Sequence, residues 1–340
     1  MQYKLLGKTG LKVSEICLGT MGFGTEWNWG ADKQTSFDIL DTFVNNGGNF
    51  IDTANRYTEG TSEKFIGEFV TQNDRDYFVI ATKYSLFDNL TNPNASGNNR
   101  KNLMRSVEQS LQRLNTDFID LLYLHIWDNL TPIEEVMRAL DDLISQGKVN
   151  YIGISDTPAW IISKGNTLAE LMGWSQFVAL QVEYSLIQRT PERELLPMAK
   201  HFGLTVTPWA PLAGGALTGK YLKGDKGRLP ENSKRLNDRS IAITKEVMAI
   251  AEELGAQPSH VALKWTMQQP FSSIPIVGAT KLTQLQENLA AVNITLSEQQ
   301  INRLNEVSNI EMGFPHDFFN EPGVKQVNYG GFYDKIEKRK

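Results

Sequence analysis

FIDLLYLH, residues 118–125, is an almost continuous apolar run that ends in a histidine. Continuous apolar strands are typical of parallel sheets that are covered on both faces, whereas strands with one wet face alternate apolar and polar residues. Two other runs have the same form: NFID ends at Asp52, and YFVIATK ends at Lys83. The sequence therefore predicts a parallel α/β sheet with polar side chains at the carboxyl ends of its strands, the edge at which such folds bind ligands.

Eight apolar strands of this kind alternate with amphipathic helical stretches along the chain. The predicted strands are Ile16–Leu18, Phe50–Ile51, Phe78–Ala81, Ile119–Leu124, Tyr151–Ile154, Ala179–Gln181, Leu204–Thr207 and Ser273–Ile276. The predicted helices are Ser36–Asn46, Ser62–Thr71, Asn102–Leu114, Ile133–Ser145, Pro158–Met172, Glu192–His201, Ile241–Leu254 and Leu282–Ala291. Eight βα units in one chain are typical of the (β/α)8 TIM barrel.

A hairpin signal, Lys8-Thr9-Gly10, precedes the first strand and predicts an N-terminal β-hairpin at the bottom of the barrel. An open doubly wound sheet is the alternative fold. It is disfavoured because the first βα turn, GTMGFG at residues 19–24, lacks the GxGxxG spacing of a dinucleotide-binding fingerprint.

No linker rich in Pro, Ser or Gly divides the chain, so the sequence predicts a single domain over residues 1–340. Two segments depart from the alternation. Residues 222–238 are polar and rich in Gly, Lys and Asn, which predicts a flexible loop after the seventh strand. Residues 312–340 are rich in Gly and aromatic residues and end in KIEKRK, which predicts a C-terminal tail that lies across the barrel mouth and frays at its end.

Composition narrows the class of protein. The 340 residues carry a net charge of −5, so no basic surface invites nucleic acid or anionic lipid. No apolar run approaches the roughly 20 residues that span a bilayer, and the amino terminus is too polar for a secretory signal. Cys17 is the single cysteine and lies in an apolar run, which indicates a buried, inert thiol. We therefore expect a cytoplasmic protein.

Four polar residues at predicted strand ends indicate proton transfer: Asp52, Tyr57, Lys83 and His125. A free tyrosine has a pKa of about 10, and a neighbouring lysine is expected to lower this pKa while an aspartate fixes the lysine. A histidine beside the phenol binds a carbonyl oxygen or assists proton passage. Such a set protonates a carbonyl oxygen while a hydride reaches the carbon, and since no side chain supplies hydride, a nicotinamide cofactor is implied.

Each of these residues also has an ordinary structural interpretation. Asp52 alone caps a helix, Tyr57 packs with a wet hydroxyl, Lys83 is a solvated strand end, and His125 is a hydrogen-bonded core histidine. The catalytic interpretation depends on all four together and on the motifs that follow them in the chain.

Those motifs resemble the aldo-keto reductase superfamily in order and spacing over nearly the whole chain. They are GKTGLKVSEICLGTM (7–21), IDTANRY (51–57), ATK (81–83), IDLLYLH (119–125), KVNYIGIS (148–155), QVEYS (181–185), WAPLAGGALTGKY (209–221) and GATKLTQLQEN (278–288). The resemblance implies a barrel that binds NADP(H) without a Rossmann motif. It also implies that Tyr57 is the general acid, that Lys83 and Asp52 tune it, and that His125 orients the substrate carbonyl.

The implied activity is NADP(H)-dependent, reversible reduction of aldehydes or ketones to alcohols, on a small-molecule carbonyl substrate. The alternative is an NADPH-binding regulatory or redox-sensing subunit with little turnover, and a purely structural scaffold is a third possibility. The oligomeric state is not indicated by the sequence.

The resemblance also implies the cofactor contacts. The nicotinamide ribose side is formed by Gly19, Thr20, Met21 and Asp52, and the carboxamide site by Ser155, Asp156 and Gln181. Trp209 stacks on the nicotinamide ring. The pyrophosphate segment contains Pro211, Leu212, Gly214 and Lys220, with Arg235 near the adenosine phosphates. The adenosine end contains Gly278, Thr280, Lys281, Gln284, Glu287 and Asn288, where a helix amino terminus suits a phosphate.

Two departures from the family pattern concern the cofactor. Asp156 stands where the family usually has asparagine, so a carboxylate replaces an amide. The usual arginine near Thr280 is missing, which leaves Lys281 as the main cation for a 2′-phosphate. NADP is therefore the expected cofactor, with NAD also possible.

Other patterns carry less weight. Residues 214–220 read GxxxxGK, but Tyr221 replaces the Ser/Thr that would hold Mg²⁺, so a P-loop is rejected. The histidines and Cys17 show no metal-ligand spacing, and no metal site is expected. Trp27, Trp29 and Trp127 form either an apolar wall of the substrate pocket or loops packed on the barrel. Arg56, beside Tyr57, either favours anionic substrates or faces solvent.

Overall fold

Eight parallel strands form one ring in the computed structural model, which describes residues 1–225, 227–230 and 232–337. The strands are β3 (Cys17–Gly19), β4 (Phe50–Asp52), β5 (Val79–Tyr84), β6 (Ile119–Leu124), β7 (Val149–Ser155), β8 (Phe177–Glu183), β9 (Thr205–Trp209) and β10 (Ile276–Gly278). Their order is β10-β3-β4-β5-β6-β7-β8-β9. The ring closes just before β10, where Val206 N donates to Ser272 O (2.8 Å) and Val206 O accepts from Ile274 N (2.9 Å). The predicted (β/α)8 barrel is confirmed.

An antiparallel hairpin of β1 (Tyr3–Leu5) and β2 (Lys12–Ser14) precedes the ring, as predicted. Its apolar side chains Leu6 and Val13 are fully buried with the interior residues of the barrel strands. At Gly7, where φ is +56°, an added Cβ would lie 2.4 Å from Val178 O, so only glycine allows this approach. The hairpin therefore packs into the amino-terminal end of the barrel.

Helices cover the ring. They are α1 (Lys33–Asn45), α2 (Thr61–Thr71), α3 (Arg100–Leu114), α4 (Ile133–Ser145), α5 (Ala159–Met172), α6 (Leu195–Phe202), α7 (Asp238–Glu253), α8 (Pro258–Met267), α9 (Leu282–Leu289), α10 (Glu298–Val307), α11 (His316–Asn320) and α12 (Pro322–Tyr329). All eight predicted helices are present, with shifted ends. For example, α6 begins at Leu195 rather than Glu192, because residues 190–192 form a separate 3₁₀ turn.

The sequence interpretation missed α8, α10, α11 and α12. Helix α8 buries seven of its ten residues, so it lacks the polar stripe by which amphipathic helices are recognised. Helix α10 begins with a capping box in which the Ser297 and Gln300 side chains exchange hydrogen bonds with each other's backbone, and the S-x-x-Q pattern could have revealed it. The last strand also differs from the prediction, since β10 starts at Ile276 and Ser273 makes only an isolated bridge to Val206.

The segment between β9 and α7 was predicted as a flexible loop at residues 222–238. A short 3₁₀ turn, Lys220–Lys223, opens it, and its described part then runs without a regular element until α7 begins at Asp238. Residues 226 and 231 of this prediction lie outside the described residues. Within the described residues, no helix is both long enough and apolar enough to cross a bilayer.

The tail after α10 is tied to the barrel at its start. Arg189 and Arg239 donate to backbone carbonyls at residues 305–309, Arg193 donates to Glu311 O, and His316 Nε2 lies 3.0 Å from Glu194 Oε1. The phenylalanines of the tail stay open to solvent: Phe314 is 84% exposed and Phe332 61%, whereas Tyr333 is half-buried. The exposed phenylalanine rings are therefore not packed into the barrel mouth, and residues 338–340 of the predicted tail lie outside the described part.

Candidate active site

Side-chain alternation along the strands places the acid and the amine inside the ring. Val79 and Ala81 of β5 belong to the interior cluster, and Lys83 has the same parity. Thr82 points outward, where its hydroxyl donates to Glu63 of α2 (2.5 Å). Asp52 ends β4, the neighbouring strand, so both charged groups meet inside the carboxyl end of the barrel.

The Lys83 ammonium is fully buried and has three oxygen acceptors. Its Nζ donates to Asp52 Oδ2 (2.6 Å), to Thr53 O (2.8 Å) and to Tyr57 OH (3.1 Å). All three donors of the ammonium are thus satisfied. Burial by itself lowers the pKa of Lys83, but the Asp52 carboxylate and the Tyr57 phenol together raise this pKa above its ordinary value. The lysine is therefore a fixed positive charge.

Tyr57 is held in this position by a strained turn. Thr58 and Glu59, which follow it, have φ of 46° and 57°, in the left-handed region that residues other than glycine rarely adopt. Such residues cost on the order of 1–3 kcal/mol each and persist only where surrounding contacts hold them. Here Thr58 Oγ1 donates to Phe23 O, and Glu59 accepts from Trp27 Nε1 (3.1 Å) and pairs with Arg56.

The expected acidity of Tyr57 needs a correction. Burial raises the pKa of Tyr57 above its usual value near 10, and Asp52 and Asp156 add to this rise. The Lys83 charge and its hydrogen bond lower the pKa, as predicted from the sequence, but they do not reverse the direction. The phenol therefore stays protonated at neutral pH. This state is the one that donates a proton, with Lys83 already in place to stabilise the phenolate that results.

His125 follows β6 and lies half-buried beside the phenol. Its ring centroid lies 5.9 Å from that of Tyr57, with the two planes at 79°, and its backbone N donates to Tyr84 O (3.0 Å). Burial and the Lys83 charge lower the pKa of His125 to about 3. Its Nδ1 is buried and has no hydrogen-bond partner among the described residues. His125 is thus a neutral imidazole.

Because the His125 imidazole is neutral in the folded protein, the free energy of unfolding should depend on pH. Between pH 3 and 6.5 His125 binds a proton in the unfolded chain but not in the folded one, so the free energy of unfolding should fall by up to about 1.4 kcal/mol per pH unit as pH drops below 6.5. His125→Asn should remove this contribution and flatten the slope. Urea unfolding at several pH values between 4.5 and 7 measures it.

The matched control is His201→Asn, since His201 is exposed on α6. This variant should keep the wild-type slope. Equal slopes for wild type and His125→Asn would show that His125 titrates alike in the folded and unfolded chains.

Gln181 of β8 belongs to the same polar cluster. Its Nε2 donates to Asp52 Oδ1 (2.8 Å), so both carboxylate oxygens of Asp52 are engaged. Gln181 was predicted to lie at a nicotinamide carboxamide, together with Ser155 and Asp156. Ser155 and Gln181 are nearly fully buried below the mouth. Asp156 is more open, and its Oδ1 accepts from Trp209 Nε1 (3.2 Å).

The residues predicted near the nicotinamide ribose divide into two groups. Gly19 ends β3 inside the ring, and Met21 is partly exposed after it. Thr20 is fully buried, its hydroxyl donating to Asp52 O (3.0 Å) and lying 2.7 Å from Ser62 Oγ of α2. The Thr20 side chain therefore faces the helix layer, and it supports the Asp52 segment rather than lining the site.

The segment after β9 is a tight glycine-containing turn beside Lys220. Gly214 and Gly215 have φ of 69° and 89°, and a Cβ added at Gly215 would lie 2.7 Å from Lys220 Nζ. Pro211 is buried and Leu212 partly buried at the start of this turn. Arg235 forms an ion pair with Glu183, the last residue of β8.

The predicted adenosine residues lie at the end of β10 and on α9. Gly278 is exposed at the strand end, and Thr280 N donates to Gln284 Oε1 (3.0 Å). Glu287 accepts from Ser259 of α8 (2.5 Å), and Asn288 is buried, so these two side chains are used in helix packing. Lys281 is exposed.

These two segments fit a polyanionic cofactor. Among the described residues, neither Lys220 nor Lys281 has a carboxylate partner. The Lys220 ammonium lies directly against the backbone of Gly215, where an added Cβ would come within 2.7 Å of Nζ, so the lysine and the glycine turn are next to each other. The donor set therefore suits phosphates at the carboxyl ends of β9 and β10.

The tryptophans of the rim have distinct surroundings. Trp27 donates a hydrogen bond to Glu59, and its ring centroid lies 5.9 Å from that of Trp29. Trp29 lies beneath the Arg228 guanidinium (4.4 Å to the ring centroid). Trp127 is 8% exposed. Arg56 forms an ion pair with Glu59, and its guanidinium lies over the Phe87 ring (4.7 Å to the centroid). Arg56 is therefore not a free cation that would bind an anionic substrate.

Sequence reasoning missed Glu59 and Glu183 as parts of this site. Glu183 could have been found from QVEYS, because it lies two residues after Gln181 on the same face of β8. Glu59 carried no such signal, since its contacts come from a left-handed turn and from a residue in the β3–α1 connection.

Comparison with known proteins agrees with this geometry. The model of the aldo/keto reductase family matches residues 15–309. The chain is 39% identical to an aryl-alcohol dehydrogenase [NADP(+)] of Phanerodontia chrysosporium, over 96% of this chain and 91% of that protein. It is 38% identical to a norsolorinic acid reductase of Aspergillus flavus, over 93% and 83% of the two chains. This chain belongs to the aldo/keto reductase family.

A further relative is a putative aryl-alcohol dehydrogenase of Saccharomyces cerevisiae, 35% identical over 94% of this chain and 90% of that protein. Membership in the family confirms the prediction that the chain is an NAD(P)H-dependent oxidoreductase.

Proposed function

We propose that this aldo/keto reductase uses NADP(H) to interconvert aromatic aldehydes or ketones and their alcohols, with Tyr57 as the general acid in the direction of reduction. The observation that carries the proposal is the hydrogen bond from a fully buried Lys83 ammonium to the hydroxyl of a protonated Tyr57 (3.1 Å). The contact satisfies the third donor of the buried ammonium, and it also places a cation beside the phenol, which a proton donor needs because it becomes an anion.

Side chains of this protein donate the proton that the carbonyl oxygen receives and stabilise the anion that is left. The Tyr57 hydroxyl gives its proton to the carbonyl oxygen, and Lys83 stabilises the phenolate that forms. Asp52 keeps the ammonium fixed (2.6 Å). The neutral His125 donates an N–H to the same carbonyl oxygen and so orients it. Bound NADPH supplies the hydride that the carbonyl carbon accepts. One hydride and one proton convert the carbonyl to the alcohol, and the phenol is restored from solvent.

The assignment of NADP(H) as the cofactor depends on two lysines, Lys220 and Lys281. Lys220 and the glycine turn after β9 are suited to the pyrophosphate, and Lys281 at the amino end of α9 to a 2′-phosphate. Because the relative from Phanerodontia chrysosporium is named as NADP(+)-dependent, NADP is the preferred cofactor of the proposal. The aromatic substrate class is supported by the two relatives that are named as aryl-alcohol dehydrogenases, and by Trp27 and Trp127 near the mouth.

The test is the consumption of NADPH in the presence of aromatic aldehydes and ketones, with NADH in parallel. We expect turnover of aromatic aldehydes with NADPH and a lower kcat/KM with NADH. Lys281→Ala should raise the KM for NADPH about tenfold, since it removes the charge that faces the 2′-phosphate, and should leave the KM for NADH nearly unchanged. Lys245→Ala, a surface lysine on α7, is the control.

The alternative is an NADPH-binding regulatory subunit with little turnover. It would be favoured if NADPH bound in the micromolar range but no aldehyde, ketone or sugar in the screen oxidised it. Equal use of NADPH and NADH, unaffected by Lys281→Ala, would contradict only the cofactor preference.

A further inference from the structure

Asp156 is a carboxylate held at the mouth of the barrel by three strand ends. It follows β7, with φ of 39° in the left-handed region, where a residue other than glycine is uncommon. Its backbone carbonyl accepts from Trp127 N after β6 (3.4 Å), and its Oδ1 accepts from Trp209 Nε1 at the end of β9 (3.2 Å). The side chain is thus oriented by an indole, which is a neutral donor.

The charges around Asp156 do not neutralise it. Lys83 acts on it electrostatically but gives its three hydrogen bonds to other oxygens. The nearby Glu183 adds negative charge and takes Arg235 as its own partner. Within the described ranges 1–225, 227–230 and 232–337, Asp156 has no ion pair. It also acts on Tyr57, whose pKa it helps to raise, so its field reaches the reacting groups.

The hydride donor of the proposed reaction must lie within reach of this field. A carbonyl oxygen that is bonded to Tyr57 and His125 fixes the position of the reacting carbon, and hydride transfer requires the donor carbon in near contact with it. The oxidised nicotinamide ring carries a positive charge that the reduced ring lacks. A negative charge at the site therefore acts differently on the two forms of the cofactor.

We propose that the Asp156 carboxylate stabilises the oxidised cofactor relative to the reduced cofactor in this site and so shifts the equilibrium of hydride transfer between enzyme-bound species toward carbonyl reduction. The inference rests on the proposed function. The step it biases is the one already balanced above, in which hydride leaves the cofactor for the carbonyl carbon and the Tyr57 proton reaches the oxygen. An asparagine at this position would still accept from the Trp209 indole but would carry no charge.

Asp156→Asn tests the charge alone. Isothermal titration with NADP⁺ and with NADPH, in the absence of substrate, gives the two dissociation constants of the wild type and the variant. We expect the ratio Kd(NADP⁺)/Kd(NADPH) to rise about three- to tenfold in Asp156→Asn, the size of a unit-charge interaction in a partly solvated site. Asp38→Asn, the same change on the outer face of α1, should leave the ratio unchanged.

A second variant separates the charge from the identity of the side chain. Asp156→Glu keeps a carboxylate at this position, so its ratio should stay closer to the wild-type ratio than that of Asp156→Asn, even if both affinities change. If Asp156→Glu shifted the ratio as much as Asp156→Asn, or if Asp156→Asn bound both forms with the wild-type ratio, the inference would be overturned. If wild type bound neither form, the proposed function would fail instead.

The pH dependence of the wild-type ratio is an independent readout. Although Asp156 is solvent-exposed, partial desolvation by the surrounding strand ends raises its pKa, as does the charge of Glu183; the Trp209 N–H and the Lys83 charge lower it, with a net rise above 3.8. The carboxylate is therefore lost as pH falls through this raised pKa. The wild-type ratio should approach that of Asp156→Asn as the pH is lowered, and the ratio of the variant should change less.

Discussion

We expect Tyr57→Phe to lower kcat for carbonyl reduction about 10²–10⁴-fold, the usual contribution of a general acid. Phenylalanine keeps the ring beside His125 and over the Lys83 ammonium, so packing of the site changes little. Only the hydroxyl that lies 3.1 Å from Lys83 Nζ is removed. The dissociation constant of NADPH should stay within about twofold, which separates lost proton transfer from lost binding.

The control for this variant is Tyr151→Phe, the same change near the start of β7. Tyr151 belongs to the interior of the barrel at the end away from Asp52, and its hydroxyl makes no hydrogen bond within the described residues. It should keep wild-type turnover. Retained activity in Tyr57→Phe would remove Tyr57 as the proton donor, whatever the cofactor affinity.

Lys83→Met should have a large effect on both stability and activity. The change removes a buried ammonium whose partner Asp52 is itself 3% exposed, and the remaining carboxylate would then have Gln181 as its side-chain donor. Breaking one side of a buried ion pair costs about 3–5 kcal/mol. We expect the free energy of unfolding to fall by this amount, as measured by urea denaturation. Turnover should be lost as well, because the phenolate of Tyr57 would lose its cation.

The double variant Asp52→Asn/Lys83→Met separates these two effects. It removes both charges, so much of the lost stability should return, since an uncharged pair pays no desolvation of an isolated charge. Turnover should not return. If Lys83→Met unfolded within about 1 kcal/mol of wild type, the ion pair would contribute little to the fold, contrary to its burial.

The sequence predicted the ring of strands because each strand carries its own local signal. YFVIATK and FIDLLYLH are apolar on both faces, and only a sheet that is covered by helices on one side and filled on the other can bury both. Helix α8 was not predicted, because seven of its ten residues are buried and the sequence therefore shows no amphipathic pattern there. Strand ends were shifted by up to three residues, since backbone pairing with neighbours decides where a strand begins and ends.

The position of the polar cluster followed from the same signals. Residues at the carboxyl ends of parallel strands meet at one edge, so Asp52, Lys83 and His125 were expected together, and the structure brings them and Tyr57 together. Their roles remain proposals that the variants above test. The sequence did not indicate which residue each predicted site residue would form its hydrogen bonds with. Thr20 was expected at the cofactor, yet its hydroxyl bonds to the Asp52 carbonyl and to Ser62.

The amino-acid sequence alone determined the barrel, its hairpin and the set of polar groups at its carboxyl end, because apolar periodicity and the residue types at strand ends are local properties of the chain. Only the tertiary structure decided the protonation of those groups. Burial raises the pKa of Tyr57 more than Lys83 lowers it, and burial keeps His125 neutral. These balances depend on how deeply each group is desolvated and on which charges surround it, and both are set by strands far apart in the chain.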